Sequence, residues 1–375
     1  MNEGNGNEVV KVEDVHKVYS TSSGPLHAVR GVSFECRLGE TLAVLGPSGS
    51  GKSSLMRMIA GLEHISGGRI SIDGTVINDV PPERRNVSLA FENYALYPSI
   101  TVRKNLEFPL VNLGQFSRQE IDKRVQDIAA SFRLLEVLDR KPVELSGGHS
   151  QMVSLGRALI KPASVHILDE PLSHLDLQFR NEVVAKLRTM QRERNLSMIL
   201  ITHDQEEALE LSDRVIVIND GQFQQLGTPK EIVSAPANLF VADFVGEPPM
   251  NLLRSRSDGK AGTGLVTEGG TKLEAAIDIG ADSRDRDLLI GIRPTDLFVA
   301  NGASREHTFQ DELPLNMLEE LGEVTILTLD FEGLPLRVVL PSREKADTAG
   351  VRVKIGYRPE SLHVFDRQTG LRLGS

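Results

Sequence analysis

The sequence has 375 residues, of which 40% are hydrophobic and 25% are charged, and its formal net charge is −10. This length exceeds that of a typical single domain, so we expect two domains. The acidic balance provides no basic field for binding nucleic acid, and the single cysteine, Cys36, excludes an internal disulfide. No run of 18 apolar residues occurs, and residues 1–8 lack the positive start and apolar core of an export signal. We therefore expect a cytosolic protein that does not span a membrane.

The first informative segment is a complete G-x-x-x-x-G-K-[ST] phosphate loop. An apolar run at residues 41–45 predicts a buried parallel strand before the loop, and residues 54–60 have helical spacing after it. In such a loop the glycines let backbone N–H groups point at phosphates, the lysine reaches the β and γ oxygens, and the last serine hydroxyl binds Mg²⁺. We therefore predict that the chain binds ATP and Mg²⁺. The predicted nucleotide-binding residues here are Gly46, Pro47, Ser48, Gly49, Ser50, Gly51, Lys52, Ser53 (also a metal ligand) and Ser54.

Residues 101–160 change to helical spacing, which predicts a helical insertion within an α/β core. Near its end, the turn of Ser146, Gly147 and Gly148 opens a helix-like stretch over residues 150–160. Backbone N–H groups at a helix N-terminus attract anions, so this turn is a second candidate phosphate site. Two half-sites in one chain predict a dimer in which each copy completes the other's site.

Two further apolar strands end in candidate catalytic side chains. Residues 165–168 lead into Asp169, a candidate Mg²⁺ ligand, and Glu170, a candidate base for the attacking water. Residues 198–202 lead into His203, the second predicted catalytic residue, for which simple capping of the next helix is the alternative. A phosphate loop alone is compatible with kinases, GTPases, helicases and transport ATPases, and these additional segments narrow the choice.

Around residues 246–251 the helical pattern ends in a Gly-Glu-Pro-Pro segment. Beyond it, short strand-like runs such as 288–292 and 324–329 are separated by Gly, Asp and Pro. The remainder of the chain is therefore expected to form a small, barrel-like all-β domain.

The motifs GPSGSGKS, LSGGHSQ, HILDEP, SHLD and ITHD occur in this order within residues 9–240, and together they resemble the ATP-binding subunit of an ABC transporter. The resemblance implies that Tyr19 stacks on adenine, although packing alone is the alternative for a single tyrosine. It also implies that Ser146, Gly147, Gly148 and His149 contact ATP held by a partner subunit, and that Asp176 belongs to the D-loop.

The tail resembles the regulatory domain of carbohydrate-importer ATPases of the maltose type, through residues 248–253, 291–297 and 356–373. That resemblance implies an oligonucleotide-type barrel that assists dimerisation. The expected fold class is thus α/β, with a P-loop ABC ATPase core and helical subdomain followed by a small all-β, OB-like regulatory domain. The expected divisions are a tail (1–8), an ATPase domain (9–240) with its insertion at about 101–160, and a regulatory domain (241–375).

The sequence departs from the family pattern at three positions. Glu92 replaces a glutamine in the segment that links the nucleotide site to the membrane subunit, and we predict that it is both a coupling-loop residue and a metal ligand. A carboxylate binds Mg²⁺ more strongly than an amide but adds negative charge beside the γ-phosphate. The alternative is a passive, solvent-exposed carboxylate. In the signature segment, His149 replaces a glutamine and Met152 replaces a basic residue.

The resemblance implies an ATPase that energises an importer of a carbohydrate, polyol or glycerol phosphate at the cytoplasmic face of the cell membrane. Its expected partners are two permease subunits and, indirectly, a solute-binding protein, with no nucleic acid. A homodimer is favoured over pairing with a paralogous ATPase because Asp169, Glu170 and His203 are all present in this chain. The alternative function is a soluble ABC-type ATPase or regulator without a permease. A small-molecule kinase would leave the LSGG segment without a purpose.

Overall fold

The N-terminal half of the molecule is built on a parallel β-sheet whose strand ends carry the predicted site. The computed structural model describes residues 7–258, 263–277, 286–299, 307–308, 312–341 and 352–374. The chain separates into two units, Met1–Lys230 and Glu231–Ser375. The functional boundary expected at residues 240 and 241 stays a prediction.

The first unit contains most of the helices. Its elements are β1 (Glu8–Thr21), β2 (Gly24–Arg37), β3 (Thr41–Leu45), α1 (Lys52–Ala60), β4 (Gly67–Ile72), β5 (Thr75–Val76), β6 (Val87–Ala90), α2 (Val102–Leu113), α3 (Arg118–Ser131), α4 (Gly147–Ile160), β7 (Val165–Asp169), α5 (Leu177–Arg194), β8 (Met198–Thr202), α6 (Gln205–Leu211), β9 (Arg214–Asn219), β10 (Gln222–Gly227) and the start of α7 (Pro229–Ser234).

The central sheet of this unit has the strand order β10-β9-β3-β8-β7-β6. The pairs β3/β8, β3/β9, β7/β8 and β6/β7 are parallel, and only β10 runs antiparallel to its neighbour. Every residue of β3, β7 and β8 is buried, which explains their nearly continuous apolar sequences because both faces of a parallel sheet are covered. A second, antiparallel sheet has the order β2-β1-β4-β5, with the buried Cys36 on β2.

The predicted helical insertion is confirmed in α2, α3 and α4, and side-chain caps define where its helices begin. Thr101 accepts a hydrogen bond from the Lys104 backbone N–H at the start of α2, and Ser117 forms a capping box with Glu120 at the start of α3. Helix α4 begins at Gly147, earlier than the expected residue 150, because the Ser146 side chain accepts a hydrogen bond from the His149 backbone N–H.

The second unit is rich in strands. After the end of α7 its elements are α8 (Leu239–Phe244), β11 (Asn251–Ser257), β12 (Gly264–Thr267), β13 (Lys272–Glu274), β14 (Leu288–Ile292), β15 (Phe298–Val299), β16 (His307–Thr308), β17 (Leu313–Leu321), β18 (Val324–Phe331), β19 (Leu334–Pro341), β20 (Arg352–Val353), β21 (Ile355–Tyr357), β22 (His363–Asp366) and β23 (Arg372–Leu373).

The described residues of this unit form three antiparallel sheets, with the orders β13-β12-β11-β14-β22-β23, β15-β21-β16 and β19-β18-β17-β20. Alternate side chains of these strands enter one apolar core that includes Ile290, Leu327 and Val338. The predicted fold class, an α/β cassette with a helical subdomain followed by a β-rich domain, is confirmed. Among the residues described, no helix combines the length and the apolar character needed to cross a membrane.

Candidate active site

Parallel strand order brings the predicted catalytic segments to one edge of the central sheet. Strand β3 lies beside β8, and β8 lies beside β7. The carboxyl ends of parallel strands face the same edge, and this edge is where α/β proteins bind ligands. The phosphate loop after β3, the carboxylates at the end of β7 and His203 after β8 therefore converge, although they are far apart in sequence.

The phosphate loop is shaped by close backbone approaches that only glycine permits. A Cβ atom on Gly46 would lie 2.2 Å from the Ile218 carbonyl oxygen, and one on Gly51 would lie 2.2 Å from the Ala28 carbonyl oxygen. Gly51 also has φ = 97° as the N-cap of α1, a left-handed conformation that costs glycine little. The loop thus ends at a helix N-terminus whose N–H groups can face an anion.

Lys52 lies inside this loop and is 7% exposed. Its Nζ donates hydrogen bonds to the carbonyl oxygens of Gly46 at 2.7 Å and Pro47 at 3.0 Å. Burial lowers the pKa of Lys52, and the charges of Glu170 and Asp169 oppose that shift. A cation in this position, with anionic neighbours, is suited to hold phosphate oxygens.

Asp169, one of the carboxylates that act on this lysine, is itself close to two other carboxylates. The pKa of Asp169 is raised to about 6, mainly by burial and also by the charges of Glu170 and Glu92, while Arg57 and Lys52 oppose the change. Glu92 itself is exposed, so its effect on Asp169 is the observation that places it near the site. Like charges held together in this way are stabilised by a bound cation.

These residues fit a Mg²⁺ ion that is bound partly by the substrate. In the part of the chain that the structure describes, no cluster of three or more His, Cys, Asp or Glu side chains could hold a metal by itself. Mg²⁺ characteristically uses one or two carboxylates together with substrate phosphates. The Ser50 hydroxyl in the loop is buried and has no hydrogen-bond partner among the described residues, which also fits a site completed by its ligand.

Glu170 is held in place at both carboxylate oxygens. Its Oε1 accepts a hydrogen bond from the His203 backbone N–H at 3.1 Å and lies 2.7 Å from His203 Nδ1. Its Oε2 lies 3.2 Å from Thr202 Oγ1. The residue has φ = 48°, an uncommon left-handed conformation for a side-chain-bearing residue that is often found at functional sites.

Sequence reasoning did not identify two buried polar residues near Glu170. One contacts Glu170 directly, and the other contacts Thr202, which lies next to Glu170. Gln151 of α4 donates through Nε2 to the Glu170 carbonyl oxygen at 3.0 Å, and its Oε1 accepts from the His174 backbone N–H at 3.2 Å. The Oε2 atom of Glu207, on α6, lies 2.5 Å from Thr202 Oγ1. The sequence did contain an indication that Glu207 is buried. Glu207 precedes Leu211 by four residues and so lies on the same helix face, and both residues are buried.

The signature segment lines a different cavity. Ser146 Oγ accepts a hydrogen bond from the His149 N–H at 3.3 Å and lies 3.0 Å from His149 Nδ1. Together with Gly148 and Asp176 they line an open cavity of about 460 Å³. Asp176 accepts from the Phe179 N–H and caps α5. This cavity does not include Lys52, so the chain presents two separate polar surfaces.

Tyr19 lies beside the phosphate loop. Its hydroxyl donates a hydrogen bond to Ser54 Oγ at 3.2 Å, and the Lys17 ammonium lies 4.6 Å from the centre of its ring. Lys17 is held in turn by an ion pair with Glu63 at 2.8 Å. The tyrosine is only partly buried, so one of its surfaces remains open, and stacking on adenine stays a prediction.

The segment after Glu92 is tied to the signature helix. The Arg157 guanidinium of α4 donates to the Tyr94 carbonyl oxygen at 3.0 Å, and it also lies 5.4 Å from the centre of the Tyr97 ring. The Tyr94 ring packs edge-on against His174, with the ring centres 5.5 Å apart. The segment predicted to face a membrane subunit therefore contacts both α4 and His174, which lies two residues before Asp176.

Comparison with known proteins agrees with this geometry. A family model described as ABC transporter matches residues 29–173. The sn-glycerol-3-phosphate import ATP-binding protein UgpC of Jannaschia sp. (strain CCS1) is 38% identical over 367 residues, covering 97% of this chain and 99% of the relative. The trehalose/maltose import ATP-binding protein MalK of Thermococcus litoralis is 38% identical over 382 residues, covering 96% and 98%.

Solved structures resemble about three fifths of the chain. The ATP-binding cassette MJ0796, in a dimeric post-hydrolysis state bound to ADP and Pi, aligns with a TM-score of 0.55 at 28% identity, covering 59% of this chain and 98% of that chain. The cbiO1 protein of Clostridium perfringens, part of the ABC transporter complex cbiONQ, aligns with a TM-score of 0.54 at 30% identity, covering 60% and 90%. The phosphate loop, the carboxylates after β7, the signature helix and these near-full-length relatives lead to one conclusion: the chain belongs to the ATP-binding subunits of ABC transporters.

Proposed function

We propose that this chain hydrolyses ATP to drive an importer of a small polyol phosphate or sugar. The observation that carries the proposal is Glu170, a carboxylate held beside Lys52 and Asp169 and hydrogen-bonded to the His203 N–H. The named relatives, which import sn-glycerol 3-phosphate and trehalose or maltose, support the solute class. Their near-complete coverage also favours an importer over a soluble ABC-type regulator.

In the proposed mechanism, Lys52 and the N-terminus of α1 bind the phosphates of ATP. Ser53, Asp169 and Glu92 are the residues that would hold Mg²⁺, which neutralises charge on the phosphate oxygens when it is bound. Glu170 orients the attacking water and takes its proton. His203 fixes Glu170 through its backbone N–H and presents its imidazole at the same edge.

The signature surface completes the site of a second subunit in this proposal. Ser146, Gly147, Gly148 and His149 lie at the start of α4, where N–H groups can contact ATP bound by the partner. Gln151 then connects that helix to the Glu170 backbone within the same chain. Because one chain supplies both surfaces and all the catalytic side chains, we propose a homodimer over a heterodimer with a paralogous ATPase.

The subunit acts peripherally at a membrane, with permease subunits as partners. We propose that two permeases contact the segment after Glu92, where Tyr97 is 41% exposed, and that a solute-binding protein delivers the solute from the opposite side. The cytoplasmic face is the proposed location because ATP is supplied there.

Reconstitution with the cognate permeases and binding protein tests this function. We expect the ATPase rate to rise when the binding protein carries its solute, and sn-glycerol 3-phosphate and maltose are the first solutes to compare. Omission of the permeases should remove the stimulation. A rate that does not respond to permease, binding protein or solute would contradict the importer and favour a soluble ATPase.

Replacing Glu92 with glutamine is expected to change permease-stimulated turnover and its Mg²⁺ dependence, with little change in ATP affinity. The exchange removes one negative charge near Asp169 but keeps almost the same volume, so the effect is electrostatic. The measurement is a Mg²⁺ titration of stimulated hydrolysis by both forms. Glu83→Gln, a change at another exposed carboxylate, serves as the control. Superimposable curves for Glu92→Gln and the unmodified protein would mean that Glu92 is passive.

A further inference from the structure

The Thr202 hydroxyl lies between two carboxyl groups. Its Oγ1 is 2.5 Å from Glu207 Oε2 and 3.2 Å from Glu170 Oε2, and it accepts a hydrogen bond from the Asp204 N–H at 3.0 Å. A hydroxyl has one proton and can donate to only one of the two carboxyl groups at a time. The protonation state of Glu207 therefore decides which way the Thr202 hydroxyl points.

The surroundings of Glu207 favour its neutral form. The residue is 1% exposed, and its Oε1 has no hydrogen-bond partner among the described residues. A buried carboxylate without a paired cation is costly, and such a group retains its proton. The arrangement leaves Glu207 as a donor rather than an acceptor toward Thr202.

The charged groups around Glu207 act in the same direction. The pKa of Glu207 is raised to about 8, mainly by burial and also by the charges of Glu170 after β7 and Asp204 at the start of α6. Thr202 and Arg180 oppose the shift, but the Arg180 guanidinium is 2.8 Å from Asp204 and pairs with that residue. The neighbouring strands β3 and β8 contain no titratable side chain.

We propose that Glu207 is a positioning residue for Glu170: its carboxylic acid donates to Thr202 Oγ1, and the Thr202 hydroxyl in turn donates to Glu170 Oε2. With the His203 N–H on Oε1, both oxygens of Glu170 are then oriented by donors. This inference rests on the proposed role of Glu170 as the base. Glu207 itself touches neither ATP nor water in the reaction.

Loss of the Glu207 proton would undo this arrangement. The Thr202 hydroxyl would turn to the Glu207 carboxylate, Glu170 would lose a donor, and a second negative charge would lie nearby. Turnover should therefore fall as pH rises through the pKa of Glu207, whereas ATP binding, which depends on the phosphate loop, should not follow the same curve.

The test compares kcat and KM for ATP between pH 6 and pH 9.5 in the assembled transporter. Glu207→Gln keeps an N–H donor toward Thr202 at every pH, so its kcat at neutral pH should stay within about twofold and its alkaline decline should disappear. Glu207→Met keeps the volume but has no donor, so its kcat should fall about 10-fold at all pH values with unchanged KM. Glu206→Gln, next to it on α6 but exposed, is the matched control and should retain the unmodified pH profile.

Thermal stability tests the protonation of Glu207 without a measurement of turnover. Because the folded-state pKa of Glu207 is raised from 4.5 to about 8, its contribution to stability is largest at low pH and is lost as pH rises toward 8. Glu207→Gln has no such loss. The difference in Tm, Glu207→Gln minus the unmodified protein, should therefore increase as the pH is raised from 5 to 8.

The same alkaline decline in Glu207→Gln as in the unmodified protein would overturn the inference, and so would an unchanged kcat in Glu207→Met. If Glu207→Met does not fold, Thr202 is varied instead. Thr202→Val, which lacks the hydroxyl, should lower kcat, and Thr202→Ser, which keeps it, should have the kcat of the unmodified protein. Equal rates for these two variants would overturn the inference. Normal turnover by Glu170→Gln would show that the proposed base is wrong. If Glu170→Gln is inactive but the Glu207 and Thr202 variants are unaffected, the inference about Glu207 is contradicted and the proposed role of Glu170 is not.

Discussion

Replacing Glu170 with glutamine is expected to lower ATP turnover by about 100- to 10,000-fold, the range typical for a general base. The amide cannot accept the proton of the attacking water. ATP affinity should not change, because Lys52 and the helix N-terminus hold the phosphates and remain intact. The measurements are single-turnover hydrolysis by the assembled transporter and calorimetric titration with ATP.

The contacts of Glu170 indicate that this variant will fold normally. A glutamine carbonyl oxygen can replace Oε1 as acceptor of the His203 N–H. Its NH₂ group can donate to Thr202 Oγ1 in place of Oε2 once the Thr202 hydroxyl donates to Glu207 instead. We therefore expect the variant to bind ATP and to accumulate as a dimer, which size-exclusion chromatography with ATP and Mg²⁺ would detect. Glu210→Gln, an exposed change on α6, should hydrolyse ATP normally. A Glu170→Gln variant with near-normal turnover would remove Glu170 from the role of base.

Local sequence determines most of the site because its parts lie at the ends of buried strands. The apolar runs that form β3, β7 and β8 match the predicted strands closely. Since these strands are parallel neighbours, Lys52, Asp169 and His203 reach one edge without any long-range information beyond the sheet order. The Ser146 turn could be predicted for a similar reason, because an N-cap serine acts on its own helix.

The residues that sequence reasoning missed depend on contacts between elements. Glu207 is the third residue of α6, where a glutamate is ordinarily an exposed helix-capping carboxylate. Packing of α6 against β3 and β8 buries it instead. Gln151 likewise appears as a polar residue of α4, and its two partners, the Glu170 carbonyl oxygen and the His174 N–H, both lie in the segment after β7. The position of Glu92 near Asp169 also depends on the fold, since Glu92 follows β6 and Asp169 ends β7.

Replacing Lys52 with alanine is expected to weaken nucleotide binding itself, raising the Kd for ATP about 10- to 150-fold. The estimate follows from about 1.5–3 kcal/mol for hydrogen bonds to a charged group, with 1.4 kcal/mol for each factor of ten. Nζ already lies within the loop, on the Gly46 and Pro47 carbonyl oxygens, so binding phosphate requires no large movement of the side chain. Its loss also removes a cation that interacts with both Asp169 and Glu170, which adds repulsion toward the phosphates.

Lys161→Ala is the matched control for this change. Lys161 also donates to a backbone carbonyl, that of Val87 at 2.8 Å, and burial lowers its pKa as it lowers that of Lys52. Both variants therefore lose a hydrogen bond from a lysine Nζ to a backbone carbonyl oxygen, but only Lys52→Ala loses it inside the phosphate loop. Calorimetry should show weaker ATP binding for Lys52→Ala and normal binding for Lys161→Ala. Equal affinities in both variants and the unmodified protein would contradict the assignment of residues 46–53 as the phosphate site, because no other cation in this loop could replace the lysine.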